Sequence, residues 1–216
     1  MNKITFKTEW RSLLILLITI ALSLWAYPQL PLKVASHWDF QGQVNGWSSR
    51  NFHAIFFPAL LIIMYIFFLI MPYFDPKKEN YKKFAKIYIL IKDSVLFVLF
   101  GVFAAATFSN LGYPINIGAV ACGLIGLLLI VLGANFKGLK QNWFVGIRTP
   151  WAISSENVWD KTHRFGGKVF IIWGFLLILA PWLNTILAMI ILIGGLLFTT
   201  VGISLYSYLV YRQEKK

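Results

Sequence analysis

The 216-residue sequence contains one cysteine, Cys122, which excludes a disulfide within the chain and a cysteine-built metal site. Charge is scarce as well: 13% of residues are charged, and eight acidic residues stand against twenty Lys and Arg. With 58% hydrophobic residues, this is the composition of a membrane protein rather than a soluble domain. No small-x-small cleavage pattern follows the first apolar run, whose exit reads Trp25-Ala26-Tyr27-Pro28, so an uncleaved span is expected there rather than a signal peptide. Phosphate-binding glycine loops, a nucleophile signature and a paired-histidine metal motif are missing, as are internal repeats and low-complexity segments. The residues call for no cofactor and no metal, and an enzyme is not expected.

What is present is apolar sequence in long runs. Six lie near 12–27, 53–72, 87–109, 115–134, 168–183 and 185–210. Runs of about 18 to 25 residues suffice to cross a hydrocarbon core of ~30 Å. The expected fold is all-α: a polytopic membrane protein of six transmembrane helices, with a small extracellular cap and a structured cytoplasmic loop. The chain divides into a two-span region, 1–86, with an extracellular loop at 28–51, and a four-span region, 87–216, with a cytoplasmic loop at 135–167. These spans and loops are expected to use up the 216 residues, with no soluble domain among them.

The net charge of +12 is unevenly placed. Basic residues fall at the N-terminus, in the 77–86 loop (Lys77, Lys78, Lys82, Lys83, Lys86), in the 137–168 loop and at Arg212, Lys215 and Lys216. The alternate loops hold Lys33 and Arg50 alone, and the turns near 110–114 and 184 hold none. This asymmetry predicts both termini and the 135–167 loop in the cytoplasm. Orientation and attraction to anionic membrane lipid account for the charge, so no direct nucleic-acid partner is expected.

The 28–51 loop is bounded by Pro28 and Pro31, which end the first helix. Asn45-Gly46 is a tight-turn signal, and the extended stretches around it predict a small hairpin-like cap. Tyr81, Phe84 and Ile87 recur at helical spacing, which predicts that the third helix begins before the bilayer. Lys92 is placed to snorkel toward the interface, and Asp93 to pair with a base or face the bundle. In the fourth span, Gly118, Cys122 and Gly126 follow a small-xxx-small spacing suited to close helix contact, and Gly194-Gly195 is a second packing signal.

Residues 142–168 are unlike the rest. They hold three Trp, two Arg, a His, a Glu and an Asp between two apolar spans. Thr149-Pro150 reads as a helix start with Pro in the first turn, and Gly146 permits a sharp turn before Arg148. A second helix, capped at Ser154 or Ser155, is expected to run through Trp159 to Phe165 and meet Gly166-Gly167 before the fifth span. Glu156, Asp160 and Arg164 fall on one face of it, with His163 beside that stripe. Three readings compete: a metal site on Glu156, Asp160 and His163; acid–base chemistry at His163; and a non-catalytic platform of Arg148, Trp151, Trp159 and Arg164 that docks a partner or braces the bundle. The last suits the residue types best. Arg offers a planar fork of donors and Trp a large interfacial anchor. A membrane enzyme or transporter using this loop is the alternative.

Gly146-Ile147-Arg148-Thr149-Pro150-Trp151, followed by Glu156, Val158-Trp159, Arg164-Phe165 and Lys168, resembles the Sdp immunity protein (SdpI) family of bacterial integral membrane proteins. The Leu30-Pro31, His37-Trp38, Gly42 and Gly46 pattern resembles the uncharacterised domain that often precedes that motif. The resemblance covers nearly the whole chain. It implies a protein of the bacterial cytoplasmic membrane that gives immunity to a secreted peptide toxin. It also implies a receptor that draws a cytoplasmic repressor protein to the membrane. On that implication, Arg148, Thr149, Pro150, Trp151, Glu156, Trp159, Asp160, His163 and Arg164 form the partner-binding or bracing motif. His37, Trp38, Phe40 and Trp47 in the extracellular cap are the expected toxin-facing residues, because a secreted peptide arrives from that side.

Overall fold

The computed structural model describes residues 6–39 and 42–215. Among the described residues, six helical stretches are long and apolar enough to cross a membrane: Lys7–Ala26, Arg50–Phe74, Ala85–Asn110, Ile117–Gly138, Glu156–Trp182 and Thr185–Glu214. The chain is an essentially all-α, multi-pass membrane protein. Much of the aliphatic and aromatic surface of these helices is exposed, as lipid-facing helices require.

Helix α1 (Phe6–Ala26) leads into an antiparallel hairpin, β1 (Lys33–Trp38) and β2 (Val44–Ser49), and α2 (Arg50–Phe74) returns along the bundle. The Ser49 hydroxyl caps α2 by accepting the Phe52 N–H. The hairpin is pinned to α3 (Ala85–Asn110): the Asn110 carboxamide accepts the Ala35 N–H at 2.7 Å and donates to its carbonyl at 3.0 Å. The expected turn is displaced. Asn45 and Gly46 lie inside β2, and the hairpin is closed instead by the Asp39 N–H donating to the Gln43 carbonyl at 2.9 Å, with Gly42 at φ +78°. Tertiary packing decides this: Asn45 bonds the His37 ring, and a Cβ at Gly46 would come 2.7 Å from that of His37.

After α2, a 3₁₀ turn (Lys78–Lys82) precedes α3, so Tyr81 and Phe84 stand before the helix rather than on it. They still pack together, rings 4.9 Å apart, in a core with Phe68, Tyr88, Phe136 and Trp159. This core sits at the end of the bundle opposite the hairpin. Helix α4 (Ile117–Asn135) leads to a 3₁₀ turn at Phe136–Gly138, the short α5 (Pro150–Ser154) and then α6 (Glu156–Leu179).

Helix α6 runs unbroken through Gly166-Gly167, where a separate helix and span were expected. The two glycines serve packing. A Cβ on Gly167 would lie 2.6 Å from the Gly133 carbonyl oxygen, and one on Gly166 would strike the Ile147 side chain. About two helical turns further along the same pair of helices, Gly126 and Gly174 meet in the same way, each Cβ position within 2.6 Å of the other's carbonyl oxygen. The α4–α6 seam is therefore a pair of glycine–glycine crossings at Gly126/Gly174 and Gly133/Gly167. Of the expected Gly118–Cys122–Gly126 contact, Gly126 belongs to the seam, whereas a Cβ on Gly118 would meet only the Asn116 side chain. Helix α7 (Thr185–Leu197) passes through a π turn (Phe198–Gly202) into α8 (Ile203–Glu214). Gly195 lies against the Trp173 indole, whose N–H donates to the Ile191 carbonyl, while Gly194 faces open space.

Of the two charges expected inside the bundle, Asp93 faces inward beside a base as expected, and Lys92 departs from expectation. Lys92 does not snorkel: it is 2% exposed and ion-paired with Glu9 of α1. Asp93 accepts the Ser12 hydroxyl at 2.6 Å and lies 3.9 Å from the Lys92 ammonium. Lys92 also stands 5.3 Å from the Tyr65 ring centre of α2. Three helices thus share one buried polar cluster.

Candidate functional site

The motif residues gather at the end of the bundle opposite the hairpin. Thr149 starts α5 by accepting the Ala152 N–H at 3.1 Å, with Pro150 in the first turn, where its missing N–H costs nothing. The same Thr149 hydroxyl lies 2.6 Å from that of Ser207 on α8. Trp151 packs on Tyr208, ring centres 5.1 Å apart, and Ser155 donates to the Glu214 carboxylate at 2.8 Å. The motif is therefore fastened to the last helix at three points.

Its inner side is built around Trp159 and His163, both buried. The indole N–H of Trp159 donates to the Leu139 carbonyl at 3.0 Å. The His163 ring stacks on it, centres 4.1 Å apart. His163 Nδ1 lies 2.9 Å from the Trp159 carbonyl, and Nε2 accepts the Ile147 N–H at 3.0 Å. Those two bonds fix the proton on Nδ1 and occupy both nitrogens. Gly146, at φ +108°, passes so close beneath the ring that a Cβ there would meet Nε2. His163 is thus a structural link as placed, not a base poised for a substrate.

The loop before α5 is held by Asn142, Gln141 and Asp75, residues to which sequence alone assigned no role. Asn142 is fully buried; its side-chain oxygen accepts the N–H groups of Phe144 and Val145, and its amide donates to the carbonyls of Lys140 and Val145. Gln141 donates to the carbonyls of Ala152 and Ile153 and accepts from the Lys77 ammonium. Asp75, also buried, accepts the Trp143 N–H at 2.8 Å and the Tyr81 hydroxyl at 2.9 Å. Burial, and then the bond to Asp75, push the Tyr81 phenol upward, so it remains a donor at neutral pH. The one advance signal was polarity: Asn142 opens the 142–168 segment and Gln141 precedes it, neither with an assigned role.

The outer side of the motif is different. Arg148, Pro150, Glu156 and Arg164 are exposed, and Asp160 is half-buried. The Arg148 guanidinium donates to the Trp143 carbonyl at 3.0 Å. Glu156 and Asp160 share a polar pit of about 120 Å³ with Lys83 and Lys140. Among the described residues, no group of three or more His, Cys, Asp or Glu is arranged to hold a metal ion.

At the hairpin end, His37, Trp38 and Asp39 line a cleft against α4, α6 and α7. Trp47 lies outside it, 54% exposed, with the Lys33 ammonium 5.5 Å from its ring centre. Phe40 lies outside the described residues.

Comparison with known proteins agrees with the motif. Residues 138–207 match the model of the SdpI/YfhL protein family, and residues 14–62 match a domain of unknown function, DUF1648. Over 202 residues the chain is 25% identical to the immunity protein SdpI of Bacillus subtilis (strain 168), covering 94% of this chain and 95% of that protein. No solved structure matches.

Proposed function

We propose that this chain, an SdpI-family membrane protein by its motif region and its full-length relative, confers immunity to a secreted peptide toxin at the bacterial cytoplasmic membrane. The single observation that carries this reading is the similarity to an immunity protein along almost the whole of both chains. The similarity spans the hairpin as well as the motif, so both ends of the bundle belong to the shared design. Lys and Arg crowd the loops at the motif end, which supports a cytoplasmic position for that end and for both termini.

The hairpin end then meets the toxin, with His37 and Trp38 at its cleft and Trp47 as an exposed aromatic landing surface. The motif end divides its labour. Trp159, His163 and Thr149 brace the bundle from inside. Arg148, Glu156 and Arg164, with Asp160 in the polar pit, present charge for a cytoplasmic repressor protein. Support for docking comes from exposure: Arg148, Glu156 and Arg164 are exposed, although Arg148 also donates to the Trp143 carbonyl.

The test is expression in a strain sensitive to an Sdp-type toxin peptide. Survival that rises with the amount of protein in the membrane is the expected result. Equal killing with and without the chain would reject the reading.

A further inference from the structure

The hairpin-end cleft has a volume of about 620 Å³, within the range of ligand-binding pockets. Its walls change character with depth. His37, Asp39 and Asn45 of the hairpin and Asn116 before α4 form a polar rim. Cys122, Leu177, Ala188 and Leu192 form an apolar floor. Cys122 and Leu192 lie five and seven residues into α4 and α7, so the floor reaches about 10 Å down the helices at 1.5 Å per residue. The cleft therefore spans the boundary between polar surroundings and hydrocarbon.

The hairpin is shaped for this. In a regular strand, His37 and Trp38 would point to opposite faces. The pairing is irregular on both sides of His37, between Ala35 and His37 and between His37 and Trp38, and both side chains line the cleft. Such irregularities re-aim side chains where a sheet meets a site. The Asn45 side chain holds His37 Nδ1, which fixes the ring at the rim. Asp39, whose carboxylate accepts the Gln43 N–H at 2.8 Å, supplies the one formal charge among the described lining residues. That charge is negative, on a chain whose net charge is +12.

We infer that this cleft is the toxin-binding site, taking a segment of the secreted peptide with apolar side chains inserted along α4 and α7 and a basic side chain held at the Asp39 rim. This rests on the immunity reading and narrows it from the hairpin surface to one cavity. The occupant is amphipathic because the walls are, and basic at its outer end because the rim charge is acidic.

Cys122, the sole cysteine, is half-buried in the floor and serves as a native probe. Membranes containing the unsubstituted protein are labelled with N-ethylmaleimide, with and without a synthetic Sdp-type toxin peptide. The peptide is expected to slow labelling at least threefold. In cells, Ala188→Trp fills the floor and Asp39→Asn removes the rim charge. Each is expected to lower protection about tenfold at unchanged membrane abundance. If unsubstituted protein protects cells while peptide leaves Cys122 labelling unchanged, the cleft assignment is wrong and the immunity reading stands. The cleft assignment also fails, with the immunity reading intact, if labelling is slowed by added phospholipid but not by peptide. If the unsubstituted protein gives no protection, the immunity reading fails and the cleft assignment falls with it.

Discussion

His163 accepts the backbone N–H of Ile147 at 3.0 Å, and this bond ties the loop that carries Arg148 to the helix that carries Arg164. The ring is stacked on Trp159, and Gly146 leaves no room beneath it for a Cβ. The most conspicuous titratable residue of the motif is thus committed to architecture, and the motif's exposed charges are positioned through it.

Breaking this link should act on stability first. His163→Ala leaves the Ile147 N–H without its acceptor and a void beside Trp159. Gly146→Ala forces a Cβ against the ring at a backbone conformation costing about 1–3 kcal/mol for a non-glycine residue. Both variants should show lower thermal stability in detergent and lower membrane abundance, with protection falling in proportion. Full abundance with lost protection would instead mark His163 as a functional group.

The exposed arginines should behave in the opposite way. Arg148→Lys and Arg164→Lys keep the charge but lose the planar fork. We expect normal abundance and normal survival under toxin, with induction of a repressor-controlled reporter lowered severalfold. Survival and reporter output falling together would show that these residues brace the bundle rather than dock a partner.

The buried ion pair gives an ordered prediction. Lys92→Met leaves Glu9 and Asp93 without their shared cation, and stranding a buried charge costs about 3–5 kcal/mol. Glu9→Gln costs less, because Lys92 retains Asp93 at 3.9 Å. Denaturant titration of the solubilised protein should rank stability as unsubstituted, then Glu9→Gln, then Lys92→Met. A double variant, Glu9→Gln with Lys92→Met, should recover part of the loss. Equal stability across the set would mean that the pair is not held in hydrocarbon.

The six spans were legible because lipid imposes length and hydropathy on each one, independent of its neighbours. The caps at Thr149 and Ser155 were legible for a related reason: they are local. What depends on pairing was not. Glu9 and Lys92 are 83 residues apart, and neither announces the other. Gly126 and Gly133 meet Gly174 and Gly167 of another helix, while the more evident Gly118–Cys122–Gly126 spacing lies mostly off the seam. Asn45-Gly46 misled because the strongest local turn signal gave way to cross-strand contact with His37. In the motif, sequence marked the right segment but could not divide it. Exposure separates Arg148 and Arg164 from the buried Trp159 and His163, and burial is a property of the folded bundle.

If this chain shields its own membrane from a membrane-attacking peptide, the shielding is visible in the membrane potential. Toxin-sensitive cells with and without the chain are followed by a voltage-sensitive dye after addition of an Sdp-type toxin peptide. Cells carrying the protein should hold their potential at toxin doses that depolarise the control cells. Depolarisation at the same dose and rate in both would show that the chain gives no such protection.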